Sequence, residues 1–141
     1  MAKLHFNGHW KSEFTEDEIL ASEGFVYLIT NTLTGEKYVG RKYVWSKRTQ
    51  KVPNKIRKKH LRVESNWRSY SGSSKDLTSA IASNGKDNYA FEILSIHPTR
   101  SETNFAELQE QVDRRVLSAL NDNGEYEYLN KNILGRYFRK R

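Results

Sequence analysis

The sequence predicts a small α/β fold of the α+β kind, in which helices flank a three-stranded, mostly antiparallel sheet. Three observations predict it: a hairpin rich in β-branched and aromatic residues at 25–40, an alternating strand at 89–96, and a helical apolar stripe that begins near residue 105. The chain of 141 residues is long enough for one domain with its own core. We divide it into an N-terminal extension, 1–23, and a domain, 24–141.

The N-terminal extension is expected to be peripheral, with one short helix. Thr15 followed by Glu18 three positions later is a capping-box pattern that starts such a helix. The next segment, 25–30, has the composition of a strand, and strand character resumes at 37–40 after a run of turn residues that includes Gly35. These segments predict a β-hairpin.

A basic segment follows the hairpin. From residue 37 to residue 68 there are 12 basic residues and 1 acidic residue, although the net charge of the whole chain is only +7. Pro53 interrupts this segment, and weak helical spacing at Ile56 and Leu61 predicts a loop with some helix. A charge run is often only a solvated face, but interleaved cations and aromatic rings are typical of nucleic-acid binding. The aromatic residues concerned are Tyr38, Tyr43, Trp45, Trp67 and Tyr70. We expect Trp45, Trp67 and Tyr70 to pack rather than to stack on bases.

The C-terminal half contains the clearest elements. A short helix is predicted up to Gly85, and alternation over 89–96 predicts the third strand. Thr99 and Glu102 then form a second capping-box pattern, which predicts a helix of about 20 residues. The expected apolar face of this helix consists of Phe105, Leu108, Val112, Val116 and Leu120. The apolar residues of the tail, 126–138, are expected to pack back on the domain.

Composition excludes several classes of site. The chain has no cysteine, so disulfides, thiolate ligands and a cysteine nucleophile are excluded, and a metal would need oxygen or nitrogen donors. No apolar run approaches the length of a membrane span. We expect a cytoplasmic protein (in the host bacterium if a phage encodes it), with no small-molecule cofactor.

Two tyrosine motifs carry the strongest functional signal. They are Gly24-Phe25-Val26-Tyr27 and Tyr38-Val39-Gly40, and the predicted hairpin brings their phenols near each other. Together with Arg48, Glu107 and Asn130 at later positions, these motifs resemble the GIY-YIG nuclease family over roughly residues 24–132. A narrower likeness, to the Seg-type freestanding homing endonucleases of bacteriophages, is carried by Gly40, Arg41, Lys42, Tyr43, Trp45, Trp67, Tyr70, Gly72, Ser73 and Ser74.

The resemblance implies a metal-dependent endonuclease that hydrolyses DNA phosphodiester bonds. It implies that Glu107 binds a single Mg²⁺ or Mn²⁺ and that Arg48 contacts a phosphate. Tyr27 and Tyr38 would be catalytic, with Tyr38 orienting or deprotonating the water while Arg41 and Lys42 lower its pKa. The family also has a histidine after the arginine, for which His60, Lys42 and Lys58 are alternatives here.

The expected partner is double-stranded DNA, bound by a single chain or by a homodimer. The residues expected to contact nucleic acid are Lys47, Lys55, Arg57, Lys58, Lys59, His60, Arg62, Arg68 and Asn130. Two alternatives remain open: a nucleic-acid-binding protein without catalysis, and a degenerate family member that only binds or inhibits. The first motif, which has Phe25 after Gly24, departs from the family pattern and favours the degenerate alternative.

Overall fold

The computed structural model describes residues 3–51 and 58–140, apart from the side chains of 48–51 and 58–60. Its strands are β1 (His5–Asn7), β2 (Trp10–Ser12), β3 (Gly24–Asn31), β4 (Lys37–Tyr43), β5 (Trp45–Lys51), β6 (Lys58–Glu64), β7 (Tyr89–His97), β8 (Asn132–Ile133) and β9 (Tyr137–Phe138). Its helices are α1 (Glu16–Leu20), α2 (Lys75–Asn84) and α3 (Arg100–Asp113). Within this part of the chain, each helix is too short or too polar to cross a membrane.

The central sheet has five strands in the order β1-β2-β7-β3-β4. Only the β2–β7 pair is parallel, so the α+β class with a mostly antiparallel sheet is confirmed. The predicted hairpin corresponds to β3 and β4, the predicted third strand to β7, and the predicted short helix to α2. The two additional strands come from the N-terminal residues, and β4 lies at the opposite edge of the sheet.

The prediction that the first 23 residues are peripheral is wrong. Trp10 is fully buried and pairs with Phe91 of β7, and Ile19 of α1 is fully buried in the same hydrophobic cluster. The indole nitrogen of Trp10 donates a hydrogen bond of 2.5 Å to the carbonyl of Trp67. This segment therefore completes one side of the core.

Beyond β4, the described residues of the basic segment form a two-stranded antiparallel ribbon, β5–β6, where we predicted a loop with some helix. The part of that prediction that concerns Pro53 and Ile56 lies outside the described residues. The reason for the ribbon is a two-residue alternation: Leu61 and Val63 are half-buried, whereas Arg62 and Glu64 are exposed. Alternation of this kind outweighs the weak helical spacing that we used for the prediction. Trp67, which follows the ribbon, is fully buried, and Trp45 and Tyr70 pack against the same core, as expected.

Helix α3 is shorter than predicted and turns a different face to the sheet. It has 14 residues and ends at Asp113. Phe105 is 63% exposed and Val112 is 55% exposed, whereas the buried residues are Thr103 and Gln111. The expected apolar face is therefore wrong, except that Leu108 and Val116 do pack in the second core cluster. A polar side of α3 faces the sheet edge, and Glu107 lies between its two buried residues.

The tail packs on the domain only in part. Tyr128 and Ile133 are buried, but Leu134, Tyr137 and Phe138 are exposed. Before β8, the tail runs beside the outer edge of β4: Lys37 donates its backbone N–H to Glu127, and Leu129 donates its own to Lys37. The tail thus closes part of the free edge of the sheet.

Candidate active site

A cleft of about 470 Å³ lies at the edge of the sheet formed by strand β4. Strands β3 and β4, helix α3, the segment before α2 and the tail contribute to its walls. The lining residues are Tyr27, Tyr38, Gly40, Arg41, Tyr70, Ser73, Ser74, Glu107, Gln111, Leu129, Asn130, Lys131, Asn132, Leu134 and Gly135. Both motif tyrosines, the helical glutamate and one arginine thus surround a single space, although they are far apart in sequence.

The two tyrosines lie on neighbouring strands with their rings stacked. Tyr27 pairs with Gly40 and Ile29 pairs with Tyr38 across β3 and β4, and the ring centroids of the tyrosines are 6.4 Å apart. Tyr27 is only 2% exposed. It directs its phenol over Gly40, where any larger residue would collide with it. The β3–β7 pairing is irregular between Val26 and Tyr27, so the pleat changes at this point.

Burial raises the pKa of both tyrosines. The pKa of Tyr27 lies well above its ordinary value because its phenol is desolvated, and the nearby Tyr70, Tyr38 and Glu107 add to this shift. The pKa of Tyr38 is raised first by burial and then by Glu107 and Tyr70, while Arg41 opposes the shift. We predicted that cations would lower the pKa of Tyr38. The described environment of Tyr38 acts in the opposite direction, because burial outweighs the field of Arg41.

Glu107 reaches the cleft from α3. Its side chain is 17% exposed, and its Oε1 lies 3.7 Å from a guanidinium nitrogen of Arg41. Burial raises the pKa of this carboxyl group, and the side chain and backbone N–H of Arg41 only partly oppose that shift. The carboxylate is therefore desolvated, and Arg41 offsets only part of that cost, so a bound cation would stabilise it.

Arg41 is fixed in position by a small polar network. Its Nε donates to Oδ1 of Asn104 and, at 3.3 Å, to the hydroxyl of Tyr43. The Tyr43 hydroxyl in turn donates to Asn104 Oδ1 at 2.6 Å. Asn104 and Glu107 are neighbours on α3, so one helix positions both the carboxylate and the arginine beside it. Asn104 was not predicted from the sequence, where its i, i+3 spacing to Glu107 was the only signal.

The side-chain amide of Asn130 binds the backbone of strand β4. It is 3% exposed, its Oδ1 accepts from the Val39 N–H at 3.0 Å, and its Nδ2 donates to the Val39 carbonyl at 2.8 Å. Gln111, 7% exposed, also donates to that carbonyl. These bonds give Asn130 a positioning role on β4, and the expectation that it contacts nucleic acid stays a prediction. Gln111 has the same role and was not predicted.

A second groove, beside the cleft, is lined by Arg41, Lys42, Tyr43, Trp45, Ser46, Lys47, Tyr70 and Arg100. Lys42 belongs to this groove and not to the cleft; its Nζ lies 4.2 Å from the centroid of the Tyr70 ring. Burial lowers the pKa of Lys42. Tyr70 lines both spaces, and its ring centroid is 6.2 Å from that of Tyr27. Tyr70 therefore packs against the core, as expected, and also lines both spaces.

The other expected nucleic-acid contacts have mixed outcomes. Lys47 is exposed and lines the second groove. Arg48, Lys58, Lys59 and His60 lie on the β5–β6 ribbon, but their side chains are outside the described part, as are Lys55 and Arg57 entirely. The role implied for Arg48, and the choice among His60, Lys58 and Lys42, therefore stay predictions.

Two of the expected DNA contacts are paired with acidic residues of the N-terminal segment. Arg62 lies 2.9 Å from Glu23, and its guanidinium covers the ring of Trp45. Arg68 lies 2.6 Å from Glu16 and 3.0 Å from Glu64. Acidic residues thus neutralise part of the basic segment. Arg68 is therefore a weaker candidate for a phosphate contact than its sequence position predicted.

The residues of the cleft fit one hard divalent cation. Glu107 offers a desolvated carboxylate, and among the described residues no group of three or more acidic or histidine side chains forms a closed metal cage. One carboxylate completed by water and substrate oxygens suits Mg²⁺ or Mn²⁺, which keep several water ligands.

The family model described as "Putative endonuclease segE, GIY-YIG domain" matches residues 9–133. The matched range contains both tyrosine motifs, Glu107 and Asn130, and it also contains the buried N-terminal strand β2. No curated protein and no solved structure matches the chain.

Proposed function

The chain belongs to the SegE-type GIY-YIG endonuclease family, and from this premise we propose that it hydrolyses phosphodiester bonds of double-stranded DNA with the help of one divalent cation. The observation that carries the proposal is the common cleft of Tyr27, Tyr38, Arg41 and Glu107. Hydrolysis requires an oriented water, stabilisation of the negative charge that develops on the phosphate, and a proton for the leaving oxygen. The cleft offers groups for the first two requirements, and solvent water supplies the proton of the leaving oxygen.

Glu107 would bind the cation through its carboxylate. When bound, Mg²⁺ or Mn²⁺ supplies positive charge that stabilises the developing charge of the phosphate. Glu107 itself must be deprotonated for this role, and the buried environment that raises its pKa is compensated once a cation replaces the proton. Arg41, close beside it, adds a second positive charge toward the same phosphate.

Tyr27 and Tyr38 act as protonated phenols in this proposal. Because burial raises the pKa of both, their hydroxyls are hydrogen-bond donors at neutral pH. Tyr38 is the less buried of the two and orients the attacking water. Tyr27, fixed over Gly40, donates toward a phosphate oxygen. Arg48 is expected from the family resemblance to bind the same phosphate.

The groove with Lys42, Lys47 and Tyr70 would bind the strand next to the cut bond. Lysine and arginine side chains neutralise phosphates and release counterions, so affinity should fall steeply with salt. One cleft cuts one strand at a time. Conversion of supercoiled plasmid first to the nicked form therefore indicates a monomer, whereas direct linearisation indicates two copies on one duplex.

The experiment is plasmid cleavage in Mg²⁺ by the wild-type chain, Glu107→Gln and Glu110→Gln. Glu110 is on the same helix but pairs with Arg114, so its variant controls for helix charge. We expect Glu107→Gln to lose about 10²- to 10³-fold in rate or more, with DNA affinity retained, and Glu110→Gln to cut normally. Cleavage that is insensitive to Glu107→Gln or to chelation of the cation would contradict the proposal.

A DNA-binding protein without catalysis is the second candidate. The observation that favours it is the burial of Tyr27, which is 2% exposed and leaves little of its surface for a substrate. This candidate predicts that the wild-type chain shifts duplex DNA in gels but leaves plasmid supercoiled in both Mg²⁺ and Mn²⁺. Nicking that requires the cation and Glu107 excludes it.

A further inference from the structure

The turn between β8 and β9 presents a leucine at the mouth of the cleft. Leu134 is 68% exposed, while the preceding Ile133 is buried in the second core cluster. The turn is closed by hydrogen bonds from Gly135 N–H to Asn132 Oδ1 at 2.9 Å and from Arg136 N–H to the Ile133 carbonyl at 3.1 Å. The buried Ile133 and the hydrogen bonds of the turn give the exposed side chain of Leu134 a defined position.

The backbone at Leu134 is unfavourable for a leucine. Its φ is 60°, and Arg115 is the other non-glycine residue with positive φ in the described part of the chain. Glycine and asparagine adopt this conformation readily, whereas a leucine side chain is strained there. Because the side chain is exposed as well, folding gains little from leucine at this position. Strain of this kind is found at functional sites.

The position of Leu134 connects it to the cleft. Leu134 and Gly135 line the same space as Tyr38 and Glu107. Lys131, at the base of the turn, is tied to Asp76 at the start of α2 by an ion pair of 2.5 Å. The two residues of β9, Tyr137 and Phe138, are 59% and 64% exposed. An apolar tip thus adjoins the space where we place the phosphate.

We propose that Leu134 is a wedge that enters the DNA base stack beside the phosphate bound in the cleft. The proposal rests on the proposed function for the location of the phosphate. Apolar side chains that enter a base step unstack the bases and kink the duplex, which turns the backbone toward the protein. Pyrimidine–purine steps deform most easily, so the wedge would favour cleavage next to such steps. Leu134 lies just beyond the residues 9–133 that the family model matches.

The test measures base unstacking directly. Thymines that leave the stack react with permanganate, and this readout covers every thymine of a duplex without knowledge of the target sequence. We would bind a mixed-sequence duplex to the Glu107→Gln chain and compare it with the same chain that also carries Leu134→Asn. Asparagine accepts the positive φ, so this variant is expected to fold with an unchanged or higher Tm.

Leu33→Asn is the matched control. Leu33 is 72% exposed in the β3–β4 turn and lines a different cleft. We expect enhanced thymine reactivity with Glu107→Gln alone and with the Leu33 control, and its loss with Leu134→Asn at saturating protein. In the chain with Glu107 intact, Leu134→Asn should lower the cleavage rate by about tenfold.

Unchanged thymine reactivity in Leu134→Asn would overturn the wedge, and so would equal loss in the Leu33 control. Failure of the proposed function is seen separately, as a wild-type chain that leaves plasmid intact. Leu134-dependent thymine reactivity with such a chain would still support the wedge, now in a DNA-binding protein without catalysis.

Discussion

The phenol of Tyr27 lies over the backbone of Gly40, its partner across strands β3 and β4. A Cβ atom on residue 40 would come within 2.6 Å of Cζ of Tyr27, closer than such atoms approach in proteins. Tyr27 can therefore turn its hydroxyl into the cleft only because residue 40 has no side chain. The last residue of the second motif thus makes room for the tyrosine of the first.

Gly40→Ala should displace Tyr27 and reduce cleavage far more than it reduces stability. Overpacking of this kind costs roughly 1–3 kcal/mol of the free energy of unfolding. Gly35→Ala is the control, because Gly35 has a φ of +81° and faces open space, so alanine there is strained but does not touch the cleft. At a temperature where both variants are folded, only Gly40→Ala should lose cleavage. Equal losses would argue against the placement of Tyr27.

Glu107→Gln should stabilise the metal-free protein at neutral pH. Since burial raises the pKa of Glu107 in the folded state, the unfolded chain releases its proton first as pH rises. The charged carboxylate therefore destabilises the fold above its raised pKa, and this effect disappears as pH falls below the ordinary value of 4.5. The measurement is Tm against pH in a chelator for the wild type and the variant.

The effect of a cation on Tm can be measured with the same two proteins. Mg²⁺ should raise the Tm of the wild type, since a ligand that binds the folded state stabilises it, and should leave Glu107→Gln nearly unchanged. A difference in Tm between the two proteins that grows toward acid pH would contradict the assigned environment of Glu107.

Asn104→Ala should lower the cleavage rate through Arg41. Loss of the Asn104 oxygen removes an acceptor from both Arg41 and Tyr43, so the guanidinium is no longer fixed beside Glu107. We expect kcat/KM to fall by about tenfold, equivalent to 1.36 kcal/mol in the barrier. Gln109→Ala, on an exposed position of the same helix, is the control. A normal kcat/KM for Asn104→Ala would show that catalysis does not need Arg41 to be fixed by Asn104.

His9 should make the protein sensitive to acid. Burial lowers the pKa of His9 from 6.5 to about 4, and its ring stacks on Phe91 and lies 2.7 Å from the Tyr70 carbonyl. The contribution of His9 to the free energy of unfolding is complete above pH 6.5. It is lost as pH falls toward 4, because in that range only the unfolded chain binds the proton.

The expected loss for His9 is about 1–2 kcal/mol once solvent screening of the half-buried ring is discounted. Urea unfolding between pH 4 and pH 7 measures it. His9→Gln can still donate to Tyr70, and it should flatten the pH dependence. If the free energy of unfolding of His9→Gln falls with pH as steeply as that of the wild type, other groups cause the acid sensitivity.

Local patterns predicted the elements whose partners are near in sequence. The β3–β4 hairpin follows from its β-branched and aromatic composition and its turn residues, strand β7 from its alternating pattern, and α2 from its apolar spacing and Gly85. The motif resemblance predicted that Tyr27 and Glu107 share a site, which periodicity alone could not, because the two residues are 80 positions apart in the chain.

Long-range packing explains what the sequence did not predict. Strand β2 forms because Trp10 pairs with Phe91 of β7. The local sequence near residue 10 carries no information about this distant partner. The orientation of α3 is set by the polar cleft and by the close approach of Thr103 to Gly24, and not by its apolar stripe. Arg41 precedes its contacts on Asn104 and Glu107 by more than 60 residues, so its network was not visible in the sequence.

The most direct test of the account is a crystal structure of the Tyr38→Phe chain with duplex DNA and Mn²⁺, with the anomalous signal used to locate the cation. We predict one Mn²⁺ between the carboxylate of Glu107 and a backbone phosphate, with Arg41 and Tyr27 contacting that same phosphate. A duplex bound only along the β5–β6 ribbon, with Mn²⁺ absent from the carboxylate, would contradict it.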